Sequence, residues 1–265
     1  LFSANNDRLL NTLDLYSKGI IKKILISGAT GGIGSSLVSS YLHEGAILYL
    51  VGRNITSLNK LKKISNKRII LLNYNCTIDS EVIALADELK KSKVSLDCII
   101  SNIGDGTGSQ APLSEKNVWD KSWSINFESA LNVARYLTPL LKGDDANIVM
   151  ISSIAGINYL GAPTDYSIAK SSLITLCKNL SYKLSPQIRV NVVAPGNIIF
   201  ENGSWDKKLK EDMESINAII KNNVPLQRFG KPEEVASLVT FVSSEKAQFI
   251  TGSVLVVDGG QTVNF

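Results

Sequence analysis

Residues 22–44 read KKILISGATGGIGSSLVSSYLHE, and the order of residue types in this stretch decides the fold. After two lysines, KKILIS (22–27) is continuously apolar, as suits a strand buried on both faces. It ends at glycines in G-x-x-x-G-x-G spacing, Gly28, Gly32 and Gly34. GIGSSLVSSYLHE (32–44) then carries a helical pattern. The same alternation runs outward along the chain. Strand-like runs follow at 46–51, 68–73, 96–101, 147–152, 189–194 and 253–258. Helix-like stretches lie between them at 54–65, 79–92, 115–142, 164–185 and 231–244. Asp79 with Glu81, and Pro232 with Glu233 and Glu234, place favourable groups in the first turns of two of these helices. Strand–helix–strand alternation of this kind predicts a parallel sheet with helices on both faces, wound right-handed. No repeat or linker interrupts it, so 21–265 reads as one domain. The one long irregular stretch, 196–230, has the length and position of a lid over a substrate.

Composition narrows the function. The chain has 265 residues, a net charge of +4, 44% hydrophobic and 20% charged residues. Basic residues alternate with acids, as in WDKKLKEDME, which is the pattern of a solvated helix face and argues against nucleic acid. Cys76, Cys98 and Cys177 are widely spaced with no paired spacing, and Cys98 and Cys177 sit in apolar runs, so neither a disulfide framework nor a metal site is expected. The single histidine, His43, falls at a helix C-terminus. A Ser–His or Cys–His mechanism would have to use it, and nothing around it supports that. No apolar run reaches membrane-spanning length, and a cytoplasmic protein is expected. Residues 1–20 read as an extension with a short helix over 7–16. The first residue is Leu, which leaves room for an upstream start or a trimmed targeting segment.

Chemistry is to be sought at the carboxyl ends of the strands, where open α/β sheets bind ligands. At the first tip the glycines allow a tight turn and close approach of a phosphate, with helix amides facing it; an ordinary turn is the plainer reading. The second tip, LVGRN, has Gly52 where a ribose-binding carboxylate would stand, followed by Arg53. A guanidinium in place of an anion suits a 2′-phosphate, against the plainer reading of a surface arginine. The fourth tip offers Asn102 and Gly104, the fifth Ser152 and Ser153, the sixth Pro195 and Gly196. Tyr166 and Lys170 stand four apart on one helix face, thirteen residues after Ser153. A polar surface pair would explain them equally if they stood alone.

Together GATGGIG, SNIG, the Asn of SINFESA, ISSIAG, YSIAK, VAPG and ITGSVLVVDGG resemble the short-chain dehydrogenase/reductase family over residues 21–260. The resemblance implies a Rossmann-type, doubly wound, seven-stranded parallel sheet in a three-layer αβα sandwich. It implies hydride transfer between a nicotinamide and a carbonyl or alcohol. Tyr166 would be the proton donor, Ser153 a hydrogen-bond donor to the substrate oxygen, and Asn126 the anchor of a water in a relay to Lys170. Lys170 would hold the nicotinamide ribose and lower the phenol's pKa from its usual value near 10. The cofactor set implied is Ser27, Gly28, Thr30, Gly32, Ile33 and Gly34 from the first tip, with Arg53, Asn54 and Asn75 for the adenosine end. Asn102, Gly104, Tyr166, Lys170, Pro195, Gly196 and Ile198 complete it. NADP is the expected cofactor, with NAD open, and no metal is expected. Departures from the family pattern include Ser27 for Thr, Ile103 for a small residue, and Phe200 where a Thr touching the nicotinamide carboxamide is common.

Phe200 and Trp205, with Met213, are the candidates for an apolar substrate wall in 196–230. The whole chain most resembles the 3-oxoacyl-carrier-protein reductase branch, so an acyl thioester is the first substrate expected. A sugar, polyol or other polar alcohol is the alternative, which would want polar groups around Asp105, Ser109 and Asn158. A nucleotide-binding sensor without catalysis is the third; an intact Ser153, Tyr166 and Lys170 argues against it. Helices 115–142 and 164–184 resemble those through which family members form dimers and tetramers, with Leu131, Leu173 and Leu176 compatible with an interface or with the core.

Overall fold

The computed structural model describes residues 22–143 and 145–262; the helix expected over 7–16 lies outside them. Seven strands, β1 (Lys23–Ser27), β2 (Ile47–Val51), β3 (Ile69–Leu72), β4 (Cys98–Ser101), β5 (Ala146–Ile151), β6 (Ile188–Pro195) and β7 (Val254–Val257), form one sheet. All neighbours are parallel and the order is β3-β2-β1-β4-β5-β6-β7. Period-two alternation explains why these runs needed to be apolar throughout. Ile24 and Ile26 of β1 face one core while Leu25 faces the other; in β5, Val149 and Ile151 oppose Ile148 and Met150.

Helices α1 (Gly32–His43), α2 (Ile55–Lys62) and α9 (Pro232–Val242) cover the first face. On the second lie α3 (Asp79–Lys91), α5 (Ser129–Leu137) and α6 (Thr164–Leu184), with α4 (Lys116–Trp123) packed on α6. Asp79 and Glu81 occupy the first turn of α3. At α9, Pro232 starts the helix and Glu234 accepts from the Lys231 amide at 2.8 Å. The Arg228 guanidinium grips Glu234 at 2.6 and 2.8 Å and holds its carboxyl down at about 2.

One expected helix is not continuous. The pattern over 115–142 reads as a single element, but a π turn, Ser124–Glu128, separates α4 from α5, and a 3-10 turn at Thr138–Leu140 comes after α5. A π turn adds a residue to the helical ring and rotates the turns after it, which is how Asn126 comes to be fully buried. The 196–230 segment contains two helices, α7 (Ser204–Glu211) and α8 (Met213–Asn223). They build a small cluster of their own from Ile216, Val224 and Phe229, with Ile199, Trp205, Leu209, Ile219 and Ile220 against it.

The amino end of the sheet is tied by charge. Asp145 receives Arg189 at 3.0 and 3.1 Å and Lys22 at 3.1 Å. The guanidinium also donates to the carbonyls of Val242, Ile250 and Ser244. At the other end, β1 and β4 are neighbours with Ser27 in register with Ser101. The chain crosses from one face to the other between them, so their tips open a crevice.

Candidate active site

The first tip is built by backbone packing. Gly28 has φ +69°, and a Cβ there would meet the Asn102 carbonyl oxygen at 2.9 Å. Asn102 holds the loop from the other side, its Nδ2 donating to the Gly28 carbonyl at 2.9 Å. A Cβ on Gly34 would collide with that same carbonyl, so the helix can lie close to the loop only with glycine there. Thr30 is exposed and Ile33 half-buried. The N-cap of α1 is Gly31, with no side-chain cap and no acidic residue in the first turn, which leaves the first amides to meet an anion. Ser27 is buried beneath, its hydroxyl donating to the Ile100 carbonyl at 3.4 Å.

At the second tip Arg53 is exposed. Asn54 caps α2, its Oδ1 accepting from the Ser57 amide at 3.0 Å. Asn73, absent from the sequence-based set, lies where its amide nitrogen, turned inward, reaches the carbonyls of Gly52 and Arg53 at 3.1 Å each. Asn75 is bound into its own turn, accepting from Thr77 at 2.9 and 3.2 Å while its amide donates to Glu81 at 2.6 Å. Gly196 lies against Asp258 and Gln261, where a Cβ would find atoms at 2.7 Å. Ile198 is buried and bridges to Gly230.

Ser153, Tyr166 and Lys170 are brought together by contact between the β5 tip and α6. The 3-10 turn Ile154–Gly156 lies on the helix, where a Cβ at Gly156 would meet the Lys170 carbonyl carbon at 2.7 Å. Ser152 Oγ donates to the Lys170 carbonyl at 2.7 Å. Neither Gly156 nor Ser152 stands out from sequence as a positioning residue; only the packing reveals them. Ser153 Oγ accepts from the Ala155 amide at 3.1 Å, and its hydrogen is directed toward the Tyr166 hydroxyl. The Lys170 ammonium is 5.8 Å from the Tyr166 ring centroid, 3% exposed, and donates to the Ile151 carbonyl at 3.0 Å.

The expected lowering of the phenol's pKa by Lys170 is not found. Burial raises the Tyr166 pKa, the Ser153 hydroxyl opposes this, and the Asp105 carboxylate raises it further. Lys170 is itself lowered from 10.5 to about 8 by burial, which disfavours its charged form. Asn126 is fixed by its own hydrogen bonds. Its carboxamide accepts from the Asp105 amide at 2.9 Å and donates to the carbonyls of Asp105 at 2.9 Å and Ser122 at 3.0 Å. It clasps the turn at Asp105. A Cβ on Gly104 would sit 3.3 Å from Asn126 Oδ1 and 2.8 Å from Lys170 Nζ, so a side chain here would press on the buried ammonium.

The lid residues lie elsewhere than foreseen. Phe200 contacts Gly32 and Gly203. Trp205 turns into the segment's own cluster, 4.8 Å from the Phe229 ring, with Lys208 over its face. Met213 is 63% exposed and lines no wall. Lys210 pairs with Asp206 at 2.7 Å, as a solvated helix face would. A cavity of about 330 Å³ lies behind Asp105, bounded by Thr107, Gly108, Asn117, Lys121 and Asn126.

A family model described as enoyl-(acyl carrier protein) reductase matches residues 28–262, nearly the whole described chain. The chain belongs to the short-chain dehydrogenase/reductase family. It is 34% identical over 255 residues to a tropinone reductase homolog of Arabidopsis thaliana, covering 92% of each. Among solved structures it resembles a 3-oxoacyl-[acyl-carrier protein] reductase with bound NAD from Brucella melitensis (TM-score 0.79, 25% identity, 91% of this chain and 92% of that one). It also resembles the Pseudomonas aeruginosa RhlG/NADP active-site complex (TM-score 0.82, 25% identity, 91% and 96%).

As a member of this family the protein is an oxidoreductase acting on CH–OH and C=O groups with a nicotinamide cofactor. The residues present fit that cofactor: the uncapped start of α1 suits a diphosphate, and the Gly104 floor beside Lys170 lets a ring or ribose approach the backbone. No helix among the described residues is long and apolar enough to cross a membrane.

Proposed function

We propose that the protein reduces a ketone with NADPH and that Tyr166 gives the proton. The observation that carries this reading is the convergence of Tyr166, Ser153 and Lys170 where the β5 tip meets α6, beside the glycine floor at 104. When bound, the nicotinamide supplies the hydride that becomes the carbinol hydrogen. The Ser153 hydroxyl donates to the carbonyl oxygen and stabilises the negative charge that grows there. Tyr166 Oη releases its proton to that oxygen, and its raised pKa keeps it protonated and ready for reduction at neutral pH. Lys170, near 8, changes protonation state close to working pH and is placed to resupply the proton. Asn126 holds the Asp105 turn beside them. Arg53, exposed after Gly52, supports NADP over NAD through its reach to a 2′-phosphate.

A 3-oxoacyl thioester is the leading substrate, in line with the resemblance of the whole chain. The Asp105 carboxylate beside the phenol favours a second reading, a polar alcohol or keto-sugar whose hydroxyls would answer it. NADPH oxidation with acetoacetyl thioesters against a panel of keto-sugars separates the two. Tyr166→Phe should abolish turnover while leaving cofactor binding in place; full turnover in that variant would refute the mechanism. A dimer or tetramer is proposed on the family resemblance. Ile157, Ile174, Val254 and Val256 line an apolar groove that such an assembly would cover, whereas Leu173 is core. Light scattering tests this.

A further inference from the structure

Phe200 has a fixed root and a free path beyond it. The Asn197 amide donates to Gln261 Oε1 at 3.0 Å, the Gly230 amide to the Asn197 carbonyl at 2.9 Å, and the Ile199 amide to the Gly230 carbonyl at 2.9 Å. Ile198 is buried. From Phe200 onward the chain leaves the sheet for the 196–230 segment. The ring then turns back onto α1. A Cβ added to Gly32 would collide with Cγ, Cδ1 and Cδ2 of Phe200, so the ring lies directly over the first residue of that helix. On its other side a Cβ at Gly203 would meet Cζ at 3.0 Å and Cε1 at 3.1 Å. Gly203 is the N-cap of α7, its amide donates to the Phe200 carbonyl at 3.0 Å, and Trp205 stands two residues later.

The ring is therefore a wedge between the starts of two helices. The start of α1 carries no side-chain cap and no acid, and a hydrocarbon ring fills the space where a side chain on its first residue would stand. We infer that Phe200 gates the phosphate end of the cofactor groove, and that cofactor binding requires the ring to move off Gly32, which shifts the start of α7. This rests on the dinucleotide reading of the α1 start. It makes Phe200 the determinant of cofactor affinity and links cofactor arrival to the substrate segment. The bound form must draw on the fraction of molecules with the ring displaced, so apparent affinity is reduced by that fraction.

The test uses the full chain with Phe200 replaced by Leu, Thr and Ala. Dissociation constants for NADPH are measured by calorimetry, and Trp205 is followed by fluorescence against a Trp205→Phe control. Affinity should rise as the side chain shrinks, with Phe200→Ala about tenfold tighter than the parent. In the parent the Trp205 signal should change on NADPH binding, and in Phe200→Ala most of that change should vanish. Equal or weaker binding in Leu and Thr variants that keep the parent's thermal midpoint would overturn the wedge. If Ala proves unstable, the Leu and Thr variants decide the matter alone. Failure of NADPH and NADH to bind parent and variants alike would instead sink the dinucleotide reading. Binding by all with equal affinity would sink only the role of Phe200.

Discussion

Replacing Lys170 with methionine should stabilise the cofactor-free protein while removing its turnover. The ammonium is 3% exposed and its hydrogen bond goes to the Ile151 carbonyl at 3.0 Å. Its drop from 10.5 to about 8 corresponds to a cost of roughly 3 kcal/mol for holding the charge out of water. Methionine matches the length without the charge and leaves the Ile151 carbonyl without its donor, a loss of about 1 kcal/mol. A net gain of about 2 kcal/mol remains at pH 7, or roughly 4–8 °C in midpoint for a chain of this size. Below pH 8 the lysine is charged in both folded and unfolded states, and the cost is felt in full. Between pH 8 and 10.5 the folded lysine is neutral while the unfolded one keeps its proton. The unfolded state then binds more protons, so the parent gains stability as pH rises. The advantage of the variant should shrink across that window and turn into a deficit of about 1 kcal/mol at its top. Urea unfolding of both proteins from pH 7 to 10.5, with slopes compared, reads this directly. A variant less stable than the parent at pH 7, or a difference that ignores pH, would refute the reasoning.

Three further outcomes are expected from the same geometry. Ser153→Ala should lower kcat by roughly a hundredfold, about 3 kcal/mol of transition-state stabilisation, with the cofactor dissociation constant unchanged; stopped-flow single turnovers check this. Asp105→Asn removes the negative charge that opposes the phenolate, so the Tyr166 pKa should fall. The rate of alcohol oxidation, which needs the phenolate, should then rise at lower pH than in the parent, and a pH–rate profile shows it. Arg189→Met leaves the half-buried Asp145 with Lys22 as its remaining cation, at a cost of about 3 kcal/mol in urea unfolding.

How much of the fold and site is legible in the sequence depends on what each feature rests upon. Strands such as ILYLV and NIVMI can be read because a parallel sheet covered on both faces demands unbroken apolar runs. The four-residue spacing of Tyr166 and Lys170 yields their shared helix face. It cannot yield the burial that raises one and lowers the other, because burial depends on the turn that Gly156 lays across the helix. The π turn at 124–128 is hidden, since one inserted residue barely alters an apolar pattern read over two turns. Phe200 and Trp205 read as a substrate wall from composition. Their partners Gly32 and Phe229 lie 168 and 24 residues away in sequence (200 − 32 and 229 − 205), and only folding sets them in contact.

The Asn126 carboxamide answers both the amide and the carbonyl of Asp105, which is what a neighbouring strand would do. Beyond β4 the chain thus continues as though one more residue of sheet existed, hung from a single side chain. A Cβ at Gly106 would reach the Tyr166 ring at 3.8 Å, while Asp105 itself borders the cavity behind. Two adjacent residues thus border the phenol ring and the cavity. Loosening the peg at Asn126 would therefore disturb the cavity wall and the neighbour of the phenol together.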